Sequence, residues 1–438
     1  MAEREISQSR LYEWLTGDDD SRMCQDIPDA ACREQPHNFF LHLFAALGNK
    51  LADELSSARL VLPWLLGVIG APLWMVGLLV PIRESGALLP QLFVAGLIRL
   101  EPQRKWAWVV GGGVQALAAA ALALLALYGQ GGLGGTLVLA TLIVLSLARG
   151  LSSIATKDVL GKTIAKGRRG NLMGWSGSIA GAVTLAAGGA LMLFEDRPGE
   201  LALAALLGVA ALGWLLNAAC AARIAEEPGA VEGGENAWNS IKLGLRLLRD
   251  DRDFLHFNLS RSLLLASALA LPYVALLGQQ QSGTELGGLG VLVVVSGVAG
   301  MLANPAWGKR ADASSRTVLR DTGLGAAICC LLGAGIAWLP GEWTQTVWPY
   351  ALVYALLVIV HAGVRLGRKT YLVDMAGQDR RALYVALSNT LTGAMMLLVG
   401  GATGLLAQWL GTDWLLVALS LMALAAAASA ARLPDVER

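Results

Sequence analysis

The chain has 438 residues, 55% of them hydrophobic and only 15% charged, with a formal net charge of +1. A soluble protein is about one-quarter charged, so this composition excludes an ordinary soluble domain. With near-zero net charge and no basic patch with interleaved aromatics, it gives no basis for nucleic-acid binding either.

Residues 1–37 form a polar arm without an apolar period, expected to be mostly irregular and cytoplasmic. No basic segment followed by an apolar core stands there, so no cleaved signal is expected. Cys24, Cys32, His37 and His42 match no tight ligand spacing, and neither a metal nor another cofactor is predicted. In residues 38–58, Phe40, Phe44, Leu47, Leu51 and Leu55 recur at helical spacing with Lys50, Asp53 and Glu54 between them. That pattern predicts an amphipathic helix lying along the inner membrane face.

A membrane span needs about 20 mainly apolar residues. Twelve runs qualify. Six fall in residues 59–225: Leu60–Ile82, Ser85–Leu100, Trp106–Tyr128, Thr136–Thr156, Asn171–Phe194 and Leu201–Arg223. Residues 226–254 read as a cytoplasmic linker, with a second amphipathic helix on Trp238, Ile241, Leu245 and Leu248. Six more runs fall in residues 255–431: Leu255–Gly278, Leu286–Trp307, Leu319–Leu339, Thr346–Leu366, Leu383–Leu410 and Trp414–Ala431, followed by a tail at 432–438. The fold class predicted is an all-α integral membrane protein of two six-helix bundles. Lys and Arg crowd the loops after the even-numbered spans, whereas the opposite loops hold only Arg83 and Arg197. Both termini are therefore expected in the cytoplasm, the membrane being the inner one.

An offset of 212 residues brings the halves into register: Arg104 falls on Arg316, Lys157 on Lys369, Arg168–Arg169 on Arg380–Arg381, Ser176 on Ser388 and Gly188–Gly189 on Gly400–Gly401. Loop cations and membrane glycines in one frame indicate parallel six-helix repeats about an axis along the membrane normal. Between the eighth and ninth spans stands Gly308-Lys-Arg-Ala-Asp312-Ala-Ser-Ser-Arg316. It resembles the inner-loop signature G-x-x-x-D-x-x-x-R of the major facilitator superfamily. The matching loop of the first half keeps Gly96, Arg104 and Lys105 but has Leu100 where the aspartate belongs. The resemblance covers about residues 60–431. It implies a transporter whose cytoplasmic side is latched in one state by Gly308, Asp312 and Arg316, with Gly96, Arg104 and Lys105 as a weaker copy.

An ionisable group inside a span is a functional candidate. Arg149 in the fourth span could hold an anionic group of the cargo, or snorkel to the inner surface. His361 stands at the equivalent place in the tenth span, as a proton carrier or as a hydrogen-bonded interhelical histidine. Arg261 in the seventh span is a further candidate. Arg83 and Glu84 are expected at the outer end of the first two spans, as an outer gate or an interfacial loop. Gln91, Gln115, Asn217 and Asn304 read as cavity-lining groups or interhelical hydrogen-bond partners. The first span as drawn holds no carboxylate, so proton coupling would fall to Asp158, Glu84 or His361. There is no nucleotide-binding G-x-x-x-x-G-K-[ST] loop and no catalytic triad, so no enzyme is expected. The function predicted is a monomeric secondary transporter moving a small organic solute by alternating access. A non-transporting sensor or scaffold, or a lipid or drug exporter, are the alternatives.

Overall fold

The computed structural model describes residues 27, 29–89, 98, 101–193, 199–228, 248–282, 286–376 and 381–436. Among these residues every regular element is helical. Ten helical segments are long and apolar enough to cross a membrane, and they are the third to twelfth spans. They run Lys105–Tyr128, Gly131–Thr163, Lys166–Leu193 and Gly199–Arg223 in the first half. The seventh span is two helices, Arg252–Leu263 and Ala266–Ser282. Leu286–Ala313, Ser315–Trp338, Trp348–Met375, Arg381–Leu410 and Thr412–Ala431 complete the second half.

The first two spans differ from the expectation. Gln35–Leu55 does not lie along the membrane face. It packs inside the first half, against the fifth and sixth spans. After a break at residues 56–60 the chain resumes as Val61–Val68, and together these pieces make the first span. The segment fails a hydropathy reading because its polar groups are satisfied by neighbours rather than by water. His42 meets Thr163 Oγ1 at 2.8 Å. Asn38 exchanges two hydrogen bonds with the backbone of Ala225. Lys50 donates to Ser176 Oγ at 2.9 Å. Asn217 Nδ2 donates to the Ala45 carbonyl, while its Oδ1 accepts from Trp108 Nε1 at 2.9 Å. The run drawn as Leu60–Ile82 is therefore the end of one span, a turn, and the start of the next. Gly70 makes that turn at φ +68°, a conformation other residues adopt only with strain. The second span starts with a 3-10 turn at Leu73–Met75 and continues through Val76–Leu88.

At the crossing of the first and sixth spans the backbones touch. A Cβ at Gly213 would lie 2.7 Å from the carbonyl oxygen of Gly48, and the reverse substitution meets the Gly213 backbone. Close approach of this kind is how membrane helices gain packing where no hydrophobic drive exists between them. Gly48→Val is expected to destabilise the protein by about 1–3 kcal/mol through overpacking, read as a lowered melting temperature in detergent.

The two halves repeat the same packing. In the first half the third span packs on the sixth and fourth, the second on the fourth, and the first on the sixth. In the second half the ninth packs on the twelfth and tenth, the eighth on the tenth, and the seventh on the twelfth. The halves meet through the second against the eleventh span and the fifth against the eighth, which are symmetry counterparts. The arm differs from its expectation where it is described, since Asp29–Arg33 is helical. The amphipathic linker stretch at Trp238–Leu248 lies almost wholly outside the described residues.

Candidate functional site

The halves are not joined evenly along their length. At the end carrying Gly70 and Gly341 the seam is tight. A Cβ at Gly77 would meet the backbone of Gly404 and the Tyr273 hydroxyl, and one at Gly290 would come within 2.8 Å of the Gly188 carbonyl oxygen. Gln279 Nε2 donates to the Trp64 carbonyl at 3.0 Å, closing the first span onto the seventh. Toward the other end, which carries the Arg104 and Arg316 loops, the described contacts thin out. Ser85 Oγ still donates to the Gly393 carbonyl at 2.7 Å. Beyond that level the fourth and tenth spans pack chiefly on neighbours within their own halves.

At mid-depth, where the seam gives way, the spans bring their charges together. Asp53 stands half way along the first span, Arg83 and Glu84 half way along the second, and Arg149 half way along the fourth. Asp53 accepts from Arg83 and, at 2.8 Å, from Arg149. Arg83 is 6% exposed, so this carboxylate is what makes its burial tolerable. Arg83 also lies over the Trp214 ring. Glu84 accepts from Arg59 at 2.7 Å.

Arg59 is held at the break in the first span. Irregular backbone at membrane depth is tolerated only where it is buried in protein or lines a cavity. Here Tyr354 of the tenth span reaches the freed Arg59 carbonyl, at 3.5 Å. The seventh span breaks at a comparable depth, at Leu264–Leu265. Arg261, just before that break, donates to Ser388 Oγ at 2.6 Å and Asn389 Oδ1 at 2.9 Å. From the tenth span, Arg365 lies within electrostatic reach of Glu54, Glu84 and Arg59, and Arg368 of Glu84, Arg59 and Arg365. Glu54 and Arg365 are both exposed. They belong to opposite halves and influence each other, so the space they face is a vestibule between the halves, not lipid. Among the described residues it holds six arginines, Arg59, Arg83, Arg149, Arg261, Arg365 and Arg368, against three carboxylates, Asp53, Glu54 and Glu84.

Several expectations change in this light. Arg83 and Glu84 form no outer gate, because the second span runs past them on both sides. The first span does carry carboxylates, Asp53 and Glu54. Sequence reading missed them, together with Arg59, Arg365 and Arg368. His361 lines the same region, bonded through Nδ1 to Ser267 Oγ at 3.1 Å. Gln115 is an interhelical partner, donating to Ser152 Oγ at 3.1 Å. Gln91 and Gly96 lie outside the described residues, as do the side chains of Asn304 and Asp312.

Several loop cations have described partners within their own halves. Arg104 pairs with Asp158, which also meets Lys162 at 3.3 Å. Glu226, fully buried at its side chain, receives Lys162 at 2.9 Å and the backbone amides of Arg104 and Lys105 at 3.1 and 2.7 Å. Lys105 Nζ donates to the Ile224 carbonyl at 2.8 Å. Arg316 reaches Asp435 at 3.9 Å and the Leu433 carbonyl at 3.3 Å, and a Cβ at Gly308 would touch nothing.

No protein-family model matches the chain. An uncharacterized protein of Mycobacterium tuberculosis is 25% identical over 422 residues, covering 91% of this chain and 78% of the relative. Among solved structures, the nucleoside transporter NupG superposes with a TM-score of 0.69 at 12% identity, over 89% of this chain and 98% of that one. The xylose transporter XylE from E. coli, in an inward-open conformation, gives 0.65 at 12% identity, over 91% and 97%. The paired six-helix packing, the seam closed at one end and these superpositions agree, and the chain is a multi-pass membrane protein with the major facilitator fold.

Proposed function

We propose that this protein is a secondary transporter that carries a small organic solute across the inner membrane by alternating access, with the mid-depth vestibule as its binding site. One observation carries the reading. Ionisable groups are expensive at membrane depth, and here nine of them converge from both halves on the space where the seam gives way. Two rigid halves meeting at a site near the midplane are the parts that alternating access requires.

Positive loops face the cytoplasm, so the end bearing Arg104 and Arg316 is assigned there, and the described conformation is the one facing inward. Among the described residues Arg104 pairs with Asp158 and Arg316 with Asp435, each within one half, which supports this reading. Glu54 is the group we assign to a coupling proton. It is exposed to the vestibule, forms no ion pair among the described residues, and has Asp53, Arg59 and Arg365 within electrostatic reach.

The test is flux in proteoliposomes. An imposed pH gradient is expected to drive accumulation in the parent protein. Glu54→Gln is expected to keep solute exchange while losing accumulation by at least about tenfold, the separation seen when binding survives and coupling does not. Accumulation that persists in Glu54→Gln removes this residue from coupling. A lipid cargo is the second reading. It is favoured by an apolar groove among the second, fourth and eleventh spans, lined by Ile82, Leu89, Ile143, Leu147 and Leu397. Scrambling of a labelled lipid with no flux of soluble solutes would select it.

A further inference from the structure

The transport reading leaves the chemistry of the cargo open, and the vestibule narrows it. Where the break in the first span faces the break in the seventh there is a small cavity. Its polar wall holds Arg59, Arg261, Arg368 and Glu84. Three guanidinium groups thus face one carboxylate, and two positive charges go unbalanced. The groups just outside do not make up the difference. Glu54 lies within reach of Arg59 but also of Arg365 and Arg149, and Asp53 is already shared by Arg83 and Arg149, so among the described residues of the vestibule six arginines still stand against three carboxylates.

The donors in this wall are also incompletely used. Arg261 spends two of its nitrogens on neutral oxygens, and its buried Nε has no acceptor. Arg368 makes no ion pair among the described residues, and Glu84 is the one carboxylate within its electrostatic reach. Glu84 is already bound to Arg59. His361, beside them, leaves its buried Nε2 without a partner. Buried charge without a counter-charge is costly, and unsatisfied buried donors add to the cost. Both costs are relieved if something anionic enters. The rest of the lining includes Leu264, Leu265 and Met396, which are apolar.

We propose that the cargo is an organic anion carrying two negative charges on one head, a phosphate monoester or a dicarboxylate, attached to a compact apolar body. The head sits among Arg59, Arg261 and Arg368, and the body lies on the leucine and methionine wall. Glu84 is the resident counter-ion. It holds Arg59 in place while the site is empty and shares or yields that arginine when the anion arrives. Planar guanidinium groups suit such heads because each can give two parallel hydrogen bonds to a carboxylate or phosphate.

This inference rests on the transport reading, and two separate readouts keep them apart. Binding is followed as the saturable rise in melting temperature of the full chain in detergent. Phenyl phosphate and phthalate are the dianionic probes, benzyl alcohol and phenyl glucoside the neutral ones, and phenethylamine the cationic one. At least one dianion is expected to stabilise the protein while the neutral and cationic probes do not. Which dianion acts identifies the head group. Arg368→Gln is expected to weaken that response at least tenfold while the melting temperature without probe holds or rises, since the variant removes a charge that lacks a counter-ion. Equal stabilisation by neutral probes, no response to either dianion, or an Arg368→Gln variant that binds as tightly as the parent overturns the proposal. Exchange of the same probes in proteoliposomes is the second readout. Dianions bound but never exchanged would leave the anion site standing and remove transport. Exchange of a sugar or nucleoside with no dianion response would do the reverse.

Discussion

Asparagine in place of Asp53 is expected to destabilise the folded protein by about 3 kcal/mol and to end transport. Removing one partner of a buried ion pair costs about 3–5 kcal/mol, because the other charge is left uncompensated. Here one carboxylate serves two cations, and Arg83 is almost wholly buried. The lower end of the range applies because Arg149 is 37% exposed at its side chain and partly screened by water. The measurement is thermal unfolding in detergent beside solute exchange in proteoliposomes. Asp53→Asn combined with Arg83→Gln removes one charge of each sign and should recover most of the lost stability without recovering exchange. If Asp53→Asn melts with the parent, the carboxylate does not hold the two arginines.

Valine at Gly77 should trap the protein with its outer end open. A Cβ there meets the backbone of Gly404 and comes within 2.7 Å of the Tyr273 hydroxyl. Backbone cannot step aside as a flexible side chain can. Overpacking a tight contact costs about 1–3 kcal/mol, which changes the ratio of two conformations by about 5- to 150-fold. The penalty falls only on the state in which this seam is closed, so it acts on the equilibrium between states. A cysteine replacing Ala268, which lines the vestibule, reports the change through its labelling by an impermeant maleimide added outside cells. Faster labelling in the Gly77→Val background, with exchange lost, is the expected result. Unchanged labelling would mean that the Gly77–Gly404 contact does not govern access.

The ten spans from Lys105 onward were legible because each is a long apolar run. The first span was not, and the reason lies in its residues. Asn38, His42, Asn49, Lys50, Asp53 and Glu54 dilute its hydropathy, although most of them are bonded within the bundle. Two signals in the sequence pointed the right way. The offset of 212 carries Leu255–Gly278 of the seventh span back onto residues 43–66, not onto Leu60–Ile82. Gly70-Ala71-Pro72 is turn chemistry in what was drawn as the middle of a helix. Arg149 and Glu84 could be picked out as charges within or beside apolar runs. Arg365 stood inside the run drawn as Thr346–Leu366 and was passed over, whereas Arg368 lay beyond it. The tenth span continues to Met375, beyond the apolar run that ended at Leu366, so Arg368 passed for a loop cation. Asp53, the partner that gives Arg149 its place, was hidden by the same misdrawn boundary that hid the first span.

The described charges are divided unequally between the halves. Within the first half, Asp53, Asp158 and Glu226 each meet their cations among residues of that half, and so does Glu84 with Arg59. In the second half, Arg261 rests on neutral oxygens, and the carboxylates within reach of Arg365 and Arg368 are Glu54 and Glu84, across the seam. Chains leave the ribosome N-terminus first. The early hexad can thus settle in the bilayer as a neutralised unit while synthesis continues. The late hexad arrives with Arg365 and Arg368 in its vestibule wall, whose described counter-charges stand on the partner already waiting, so that biogenesis has a direction which the twofold likeness of the finished molecule conceals.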